Sequence, residues 1–284
     1  MRVLLGASYS AIEPLGLLHL GGLARDLGWD RKFLLVKDHD FGEFFETIQS
    51  YHPDVVGFNV YTGNHLQLRD VFERLKKDHP QIITVVGGPH PTYFPVDSKK
   101  FSDYVVMSEG FGPFGEILNG KVKPGILRSG STKRFPHPDR DTFYDQYPEH
   151  GNSRIKSFIT MTGCPYKCTY CYNSSTVNDI VDHITPKIAK QLADGLGMSG
   201  RLFPHNVRSI NDVVKEASEI AEKWPTDVLY CQDDVHGFDI GNWLPGLAKR
   251  WKAEVGLPYH AQMRWEMTDG DSGKERLDIL KDAG

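Results

Sequence analysis

The chain has 284 residues, 39% of them apolar, with 33 Lys and Arg against 37 Asp and Glu and only 4 Cys. A net charge of −4 with no block of like charge argues against nucleic acid or a membrane as the main partner, and no apolar run approaches the roughly 18 residues that cross a bilayer. Three of the four cysteines fall between residues 164 and 171 instead of spreading as a disulfide framework, which indicates metal or redox chemistry in a soluble, cytoplasmic protein.

Up to about residue 120, short apolar runs alternate with stretches of helical period. Val3-Leu4-Leu5 precedes a predicted helix from Leu15 to Leu27, and Phe33 to Val36 precedes one from Phe41 to Tyr51. Asp54 to Val60 precedes a helix from His65 to Lys77, and the runs Ile82 to Val86 and Tyr104 to Met107 follow, with a short helix starting near Gly112. Strands apolar along their whole length belong to a parallel sheet covered on both faces, so this half is predicted to be a doubly wound, Rossmann-like α/β domain. Ligands of such sheets sit beyond the carboxyl ends of the strands. Those ends bear Ser8, Tyr61-Thr62-Gly63, Gly87-Gly88 with His90 and Thr92, and Glu109-Gly110.

Residues 121–152 are rich in Pro and Gly and include Ser129, Gly130 and Ser131, which reads as a linker between domains 1–120 and 153–284. The second half opens with a predicted strand from Ile155 to Met161 that runs into a cysteine-rich loop. One helix is expected from Ile184 to Leu196 and another from Ile210 to Lys223, capped by Ser209 or Asn211. Strand Val228 to Cys231, a helix from Trp243 to Val255, strand Tyr259 to Met263 and a helix from Gly273 to Lys281 complete a βαβαβα pattern.

The loop Gly163-Cys164-Pro165-Tyr166-Lys167-Cys168-Thr169-Tyr170-Cys171 carries cysteines spaced C-x3-C-x2-C. Thiolates are the ligands of iron–sulfur clusters, and three of them leave one iron of a 4Fe-4S cluster open to a substrate. A zinc site completed by His183 or Cys231 is the alternative, although structural zinc usually draws cysteine pairs from two places and no second pair is present. A redox pair of Cys168 with Cys171 is a further alternative, and it leaves Cys164 without a role.

The loop resembles the signature of the radical-SAM superfamily, C-x3-C-x-aromatic-C, placed after the first strand of a partial (β/α) barrel. The resemblance implies that Cys164, Cys168 and Cys171 hold a 4Fe-4S cluster that binds S-adenosylmethionine and cleaves it reductively to a 5′-deoxyadenosyl radical. It places Tyr170 near the adenine, gives Asp233 or Asp234 the amino group of S-adenosylmethionine, and directs Gln262 and Arg264 at that cofactor or the substrate. Arg208-Ser209 resembles the segment that heads the first barrel helix in this family.

The first half is similar to the cobalamin-binding domain that precedes the barrel in one class of these enzymes, by Pro14 to Leu20, His52 to Gly57, Val86 to Thr92 and Asp103 to Gly110. That similarity implies cobalamin near Ser8, Tyr61, Thr62, Gly63, Gly87, Gly88, His90, Thr92, Glu109 and Gly110. The loop after the first strand, Ala7 to Ile12, lacks the D-x-H-x-x-G of domains that ligate cobalt through histidine. The expected activity is cobalamin-dependent methyl transfer to a substrate carbon. The alternatives are another radical reaction with a vestigial cobalamin domain, or a non-enzymatic cluster- or cobalamin-binding fragment. The expected partners are a small-molecule or peptide substrate and an electron donor such as flavodoxin or ferredoxin. The chain supplies about half of the family's barrel, so a truncated sequence, or a second chain that completes the barrel, is also expected. No residue announces the substrate.

Overall fold

The computed structural model describes residues 1–37, 40–128, 134–195 and 200–284. The first unit runs β1 (Arg2–Ser8), α1 (Leu15–Asp26), β2 (Asp30–Val36), α2 (Gly42–Tyr51), β3 (Val55–Asn59), α3 (His65–Asp78) and β4 (Ile83–Gly87). Two short helices, α4 (Pro89–Tyr93) and α5 (Pro95–Ser98), lead to β5 (Tyr104–Val106), α6 (Phe111–Leu118) and β6 (Gly125–Leu127). All six strands are parallel, in the order β2-β1-β3-β4-β5-β6. The pleat sends neighbouring apolar residues to opposite faces. Leu5, Val55, Val85 and Val106 join Leu15, Leu18 and Phe114 of α1 and α6 on one side. Leu4, Val56, Val86 and Val105 join Phe44, Ile48, Leu68 and Phe72 of α2 and α3 on the other. Each large apolar side chain buried this way contributes about 1.5–3 kcal/mol.

Residues 121–152, which read as a linker, hold β6, α7 (Arg140–Gln146) and α8 (Pro148–Asn152). Phe143 meets Phe33 edge-on, with ring centroids 5.5 Å apart, and Tyr144 joins the same core. This segment also covers the outer edge of β2. Phe33 N donates to Gln146 Oε1 and Leu35 N to Tyr147 Oη, each at 2.8 Å. Two edge amides that would otherwise invite another strand are thereby satisfied. Pro and Gly hid these elements because each is only three to seven residues long, too short to show a period. Ser129, Gly130 and Ser131 lie outside the described residues.

The second unit contains β7 (Ile155–Phe158), β8 (Met161–Thr162), α9 (Pro186–Gly195), β9 (Asn206–Val207), α10 (Ile210–Lys223), β10 (Val228–Cys231), α11 (Trp243–Glu254), β11 (Tyr259–His260) and α12 (Gly270–Ala283). Strands β7, β10 and β11 form a parallel sheet in the order β11-β10-β7, and β8 pairs antiparallel with β9. Phe158, Leu229 and Cys231 pack against Val213, Ala217, Leu247 and Trp251 of α10 and α11. Among the described residues this is an open three-stranded sheet with its helices, and closure into a partial barrel is not seen.

Two strand expectations are corrected. The run from Ile155 to Met161 breaks after Phe158, because the Asp233 carboxylate takes Thr160 N at 2.6 Å, Thr160 Oγ1, and Met161 N at 3.2 Å in place of a ladder partner. The run from Tyr259 to Met263 stops at His260, beyond which Gln262 O accepts from His236 N at 2.8 Å. Helix α9 starts at Pro186, and Leu196, its expected end, lies outside the described residues. Ser209 is the cap of α10, its side chain accepting from Asp212 N at 3.1 Å.

Candidate functional site

The sheet order reverses between β1 and β3, and there the carboxyl edge opens into a cavity of about 260 Å³. Leu5, Gly57 and Val106 form its floor, Leu17 and Leu20 of α1 one wall, and Phe111 and Phe114 of α6 the other. Gly87, Gly88, Glu109 and Gly110 rim it, and Thr162, Gly163, Phe203 and Pro204 of the second unit complete the wall. Gly88 has φ +99°, and a Cβ there would overlap the Asn59 amide, so only glycine leaves this rim open. Crevices of doubly wound sheets at such a reversal are where their ligands bind.

Of the residues expected to hold cobalamin, Gly87, Gly88, Glu109 and Gly110 line this cavity and the other six do not. Ser8 Oγ accepts from Asn64 Nδ2 at 2.7 Å, and Tyr61 and Gly63 stand exposed on the neighbouring loop. Thr62 Oγ1 lies 3.3 Å from His90 Nδ1. His90 is buried between the rings of His65 and Phe94, at 4.2 and 5.1 Å, and burial followed by His65 lowers its pKa to about 4. Thr92 Oγ1 donates to Gly88 O at 2.8 Å and accepts from Ser108 N at 2.9 Å, which braces the rim from behind. The walls from α1 and α6 escaped the sequence reading because their residues look like ordinary core. Glycines inside an element, Gly16 in α1 and Gly57 in β3, were the available signal.

The cysteine loop leaves β8 beside this cavity. Gly163 has φ +66°, and a Cβ there would stand 2.5 Å from Pro204 O, so glycine is needed for the chain to turn toward Cys164. Cys164, Cys168 and Cys171 are free, partly exposed thiols. Ser174 Oγ lies 2.8 Å from Cys168 O and 2.7 Å from Cys171 O, and Cys171 N donates to Cys168 O at 3.0 Å, closing a tight turn. Arg201 donates to Cys164 O and Pro165 O. Tyr93 of the first unit donates to Tyr172 O at 2.7 Å, so both units hold the loop.

Arg264 Nη1 lies 2.6 Å from Cys168 Sγ, and its guanidinium covers the Tyr166 ring at 4.4 Å. Burial pushes the Cys164 thiol above its ordinary value. The remaining expected residues divide. Gln262 Nε2 donates to Tyr230 Oη at 2.8 Å, and Asp234 is exposed next to Asn173 of the loop. Tyr170 is 91% exposed. Asp233 is buried, its oxygens engaged by Thr160, Met161 and His236 Nδ1, the last at 3.0 Å.

The zinc alternatives find other neighbours. Cys231 is fully buried, 3.6 Å from His236 Nδ1, and burial keeps its thiol protonated well above the usual range. His183 lies against Phe94, with ring centroids 4.8 Å apart.

Fold and site together describe a parallel α/β unit with a cavity at its carboxyl edge, walled in part by the residues that lead into a three-cysteine loop. Residues 1–118 match the B12 binding domain family. The chain is 27% identical to the uncharacterized methyltransferase PH0819 of Pyrococcus horikoshii over 57% of its own length and 40% of that protein's. It is 25% identical to cytidylyl-2-hydroxyethylphosphonate methyltransferase of Streptomyces wedmorensis, over 95% of this chain and 59% of that one. It is also 25% identical to the cobalamin-dependent radical SAM methyltransferase TokK of Streptomyces tokunonensis, over 45% of this chain and 23% of that one. The chain thus spans from 23% to 59% of the length of these relatives. Among the described residues no helix is long and apolar enough to cross a membrane.

Proposed function

We propose that this protein holds a 4Fe-4S cluster on Cys164, Cys168 and Cys171, binds S-adenosylmethionine and cobalamin on either side of that loop, and catalyses methyl transfer to a substrate carbon. One observation carries the reading. The cavity at the ligand edge of the B12-type unit is walled by Thr162 and Gly163, the residues immediately before Cys164. A ligand of the first unit and a metal group on the loop would therefore be neighbours.

The residues present fit both groups. Three unbridged thiols on one loop, with Arg264 beside Cys168, suit a cluster with one open iron. The cavity, at about 260 Å³, is smaller than the roughly 300–1,000 Å³ of pockets that enclose a whole drug-sized ligand, so Leu5, Leu17, Gly57 and Phe114 would hold only part of a corrinoid, which would carry the methyl group. The bound cluster supplies the electron that opens the sulfonium C–S bond. Around them the chain binds and orients. Asp234 accepts from the ammonium of S-adenosylmethionine, Tyr170 closes over the adenine, and Gln262 with Arg264 fixes the carboxylate end. Asp233 braces Thr160 and Met161, and so the base of the loop. The electron comes from a donor such as flavodoxin or ferredoxin.

The test is anaerobic reconstitution followed by iron, sulfide and cobalt assays and detection of 5′-deoxyadenosine after adding reductant and S-adenosylmethionine. The wild-type protein should take up both cofactors and release 5′-deoxyadenosine. Cys168→Ala should lose iron and product while retaining cobalt. Product without cobalt uptake would favour other radical chemistry with a substrate-positioning first domain, and full activity in Cys168→Ala would overturn the reading.

A further inference from the structure

Glu13 stands between β1 and α1, on the loop at the reversal of the first sheet, and is 5% exposed. Its carboxylate accepts from Arg140 Nη1 at 2.7 Å, from Tyr144 Oη, and from the backbone N of Ser157 in β7. Arg140 Nη2 donates to Ser157 O and to Glu216 Oε1 of α10, each at 2.6 Å. Arg208 Nη1 pairs with Glu216 Oε2 at 2.7 Å and donates to Ile159 O at 2.7 Å. Gln232 Nε2, past the end of β10, donates to Glu13 O at 3.2 Å. Two acids and two guanidinium groups thus form a neutral buried chain. It joins the first unit, the 121–152 segment and the second unit.

We infer that Glu13, Arg140, Glu216 and Arg208 are positioning residues that set the separation of the first sheet's ligand edge and the cysteine loop. Apolar side chains of similar volume would bury this junction with equal or better stability, so a four-member ion chain is not explained by stability alone. What it adds is direction. A guanidinium fork meets carboxylates at fixed angles, whereas an apolar contact permits sliding. The anchor points fit this role, since Ser157 and Ile159 lie on the stretch that runs through Thr160 to Cys164. Any shift of the Glu13 loop is passed along that stretch to the cysteines.

The consequence for methyl transfer rests on the proposed function, but the geometric claim does not. The test therefore begins without cofactors. Nitroxides attached through p-acetylphenylalanine at exposed Lys77 of α3 and Lys249 of α11 report the distance between the units by pulsed electron resonance. Wild type should give one narrow distance. Glu13→Gln, and Arg140→Lys, which keeps the charge without the fork, should broaden it at least twofold. Where Glu13→Gln fails to fold, the charge-neutral pair Glu13→Gln with Arg140→Gln replaces it. An unchanged distance distribution in variants with a lowered Tm would overturn the proposal and reduce the chain of ions to a stability element. In loaded protein the same variants should retain cobalamin uptake and S-adenosylmethionine cleavage and lose methyl transfer at least tenfold. Loss of all three together would also count against positioning. Failure of the wild type to bind cobalamin would sink the functional reading and leave the distance measurement standing.

Discussion

His19 is fully buried in α1, with Nδ1 donating to Pro136 O at 2.6 Å, and burial drives its pKa from 6.5 to about 4 despite the attraction of Glu216. In the unfolded chain the imidazole takes its proton near pH 6.5, but in the fold only near pH 4. Stability from this group is therefore complete above pH 6.5 and is lost as the pH falls toward 4. The loss amounts to about 3 kcal/mol at roughly 1.36 kcal/mol per pKa unit. Urea unfolding at pH 7 and pH 4.5 should show most of that fall, and His19→Gln should flatten it. At the same scale the three cysteines were legible because their spacing is local. The roles of Asp233 and Asp234 were not, because adjacent carboxylates on one loop look alike. Only the approach of Thr160, 73 residues away, turns one inward.

Ser209 caps α10, with Oγ accepting from Asp212 N. Ser209→Ala should cost about 1 kcal/mol in denaturant unfolding, the usual worth of such a cap. An unchanged midpoint would mean that Arg208, already locked to Glu216, holds the helix start unaided. Gly163→Ala tests the turn into the cysteine loop. With φ +66° and Pro204 O in the way, a methyl group should cost about 1–3 kcal/mol and lower iron incorporation. Normal iron loading would show that the loop can leave β8 by another path. Elements with a clear helical period or an unbroken apolar run were readable from sequence, as the matching bounds of α10 and of the four-residue β10 show. Those of the Pro- and Gly-rich segment were not. Strand β6 and helices α7 and α8 owe their form to the β5 and β2 edges they cover, and no local pattern encodes a distant edge.

At the scale of the whole molecule, the cavity depends on four strands, two helices and the second unit meeting at one place. Gly57→Val tests whether it holds the corrinoid. A Cβ at Gly57 would stand 3.3 Å from Leu5 and 3.7 Å from Phe114, so the added methyl groups would fill the floor. Cobalamin affinity, followed by absorption titration, should fall at least tenfold, about 1.4 kcal/mol, with the fold retained. Unchanged affinity would remove the corrinoid from this cavity. Sequence alone determined the doubly wound class of the first sheet, because strands buried on both faces are apolar at every position. It also placed three thiols together on one loop, because their spacing is local in the chain. Tertiary structure alone decided that the loop and the cavity share a wall, that residues 121–152 seal an edge, and that Glu13 reaches Ser157 across 144 positions. These are contacts between surfaces far apart in the chain, made by residues whose types suit a core, a turn or an exposed loop equally well.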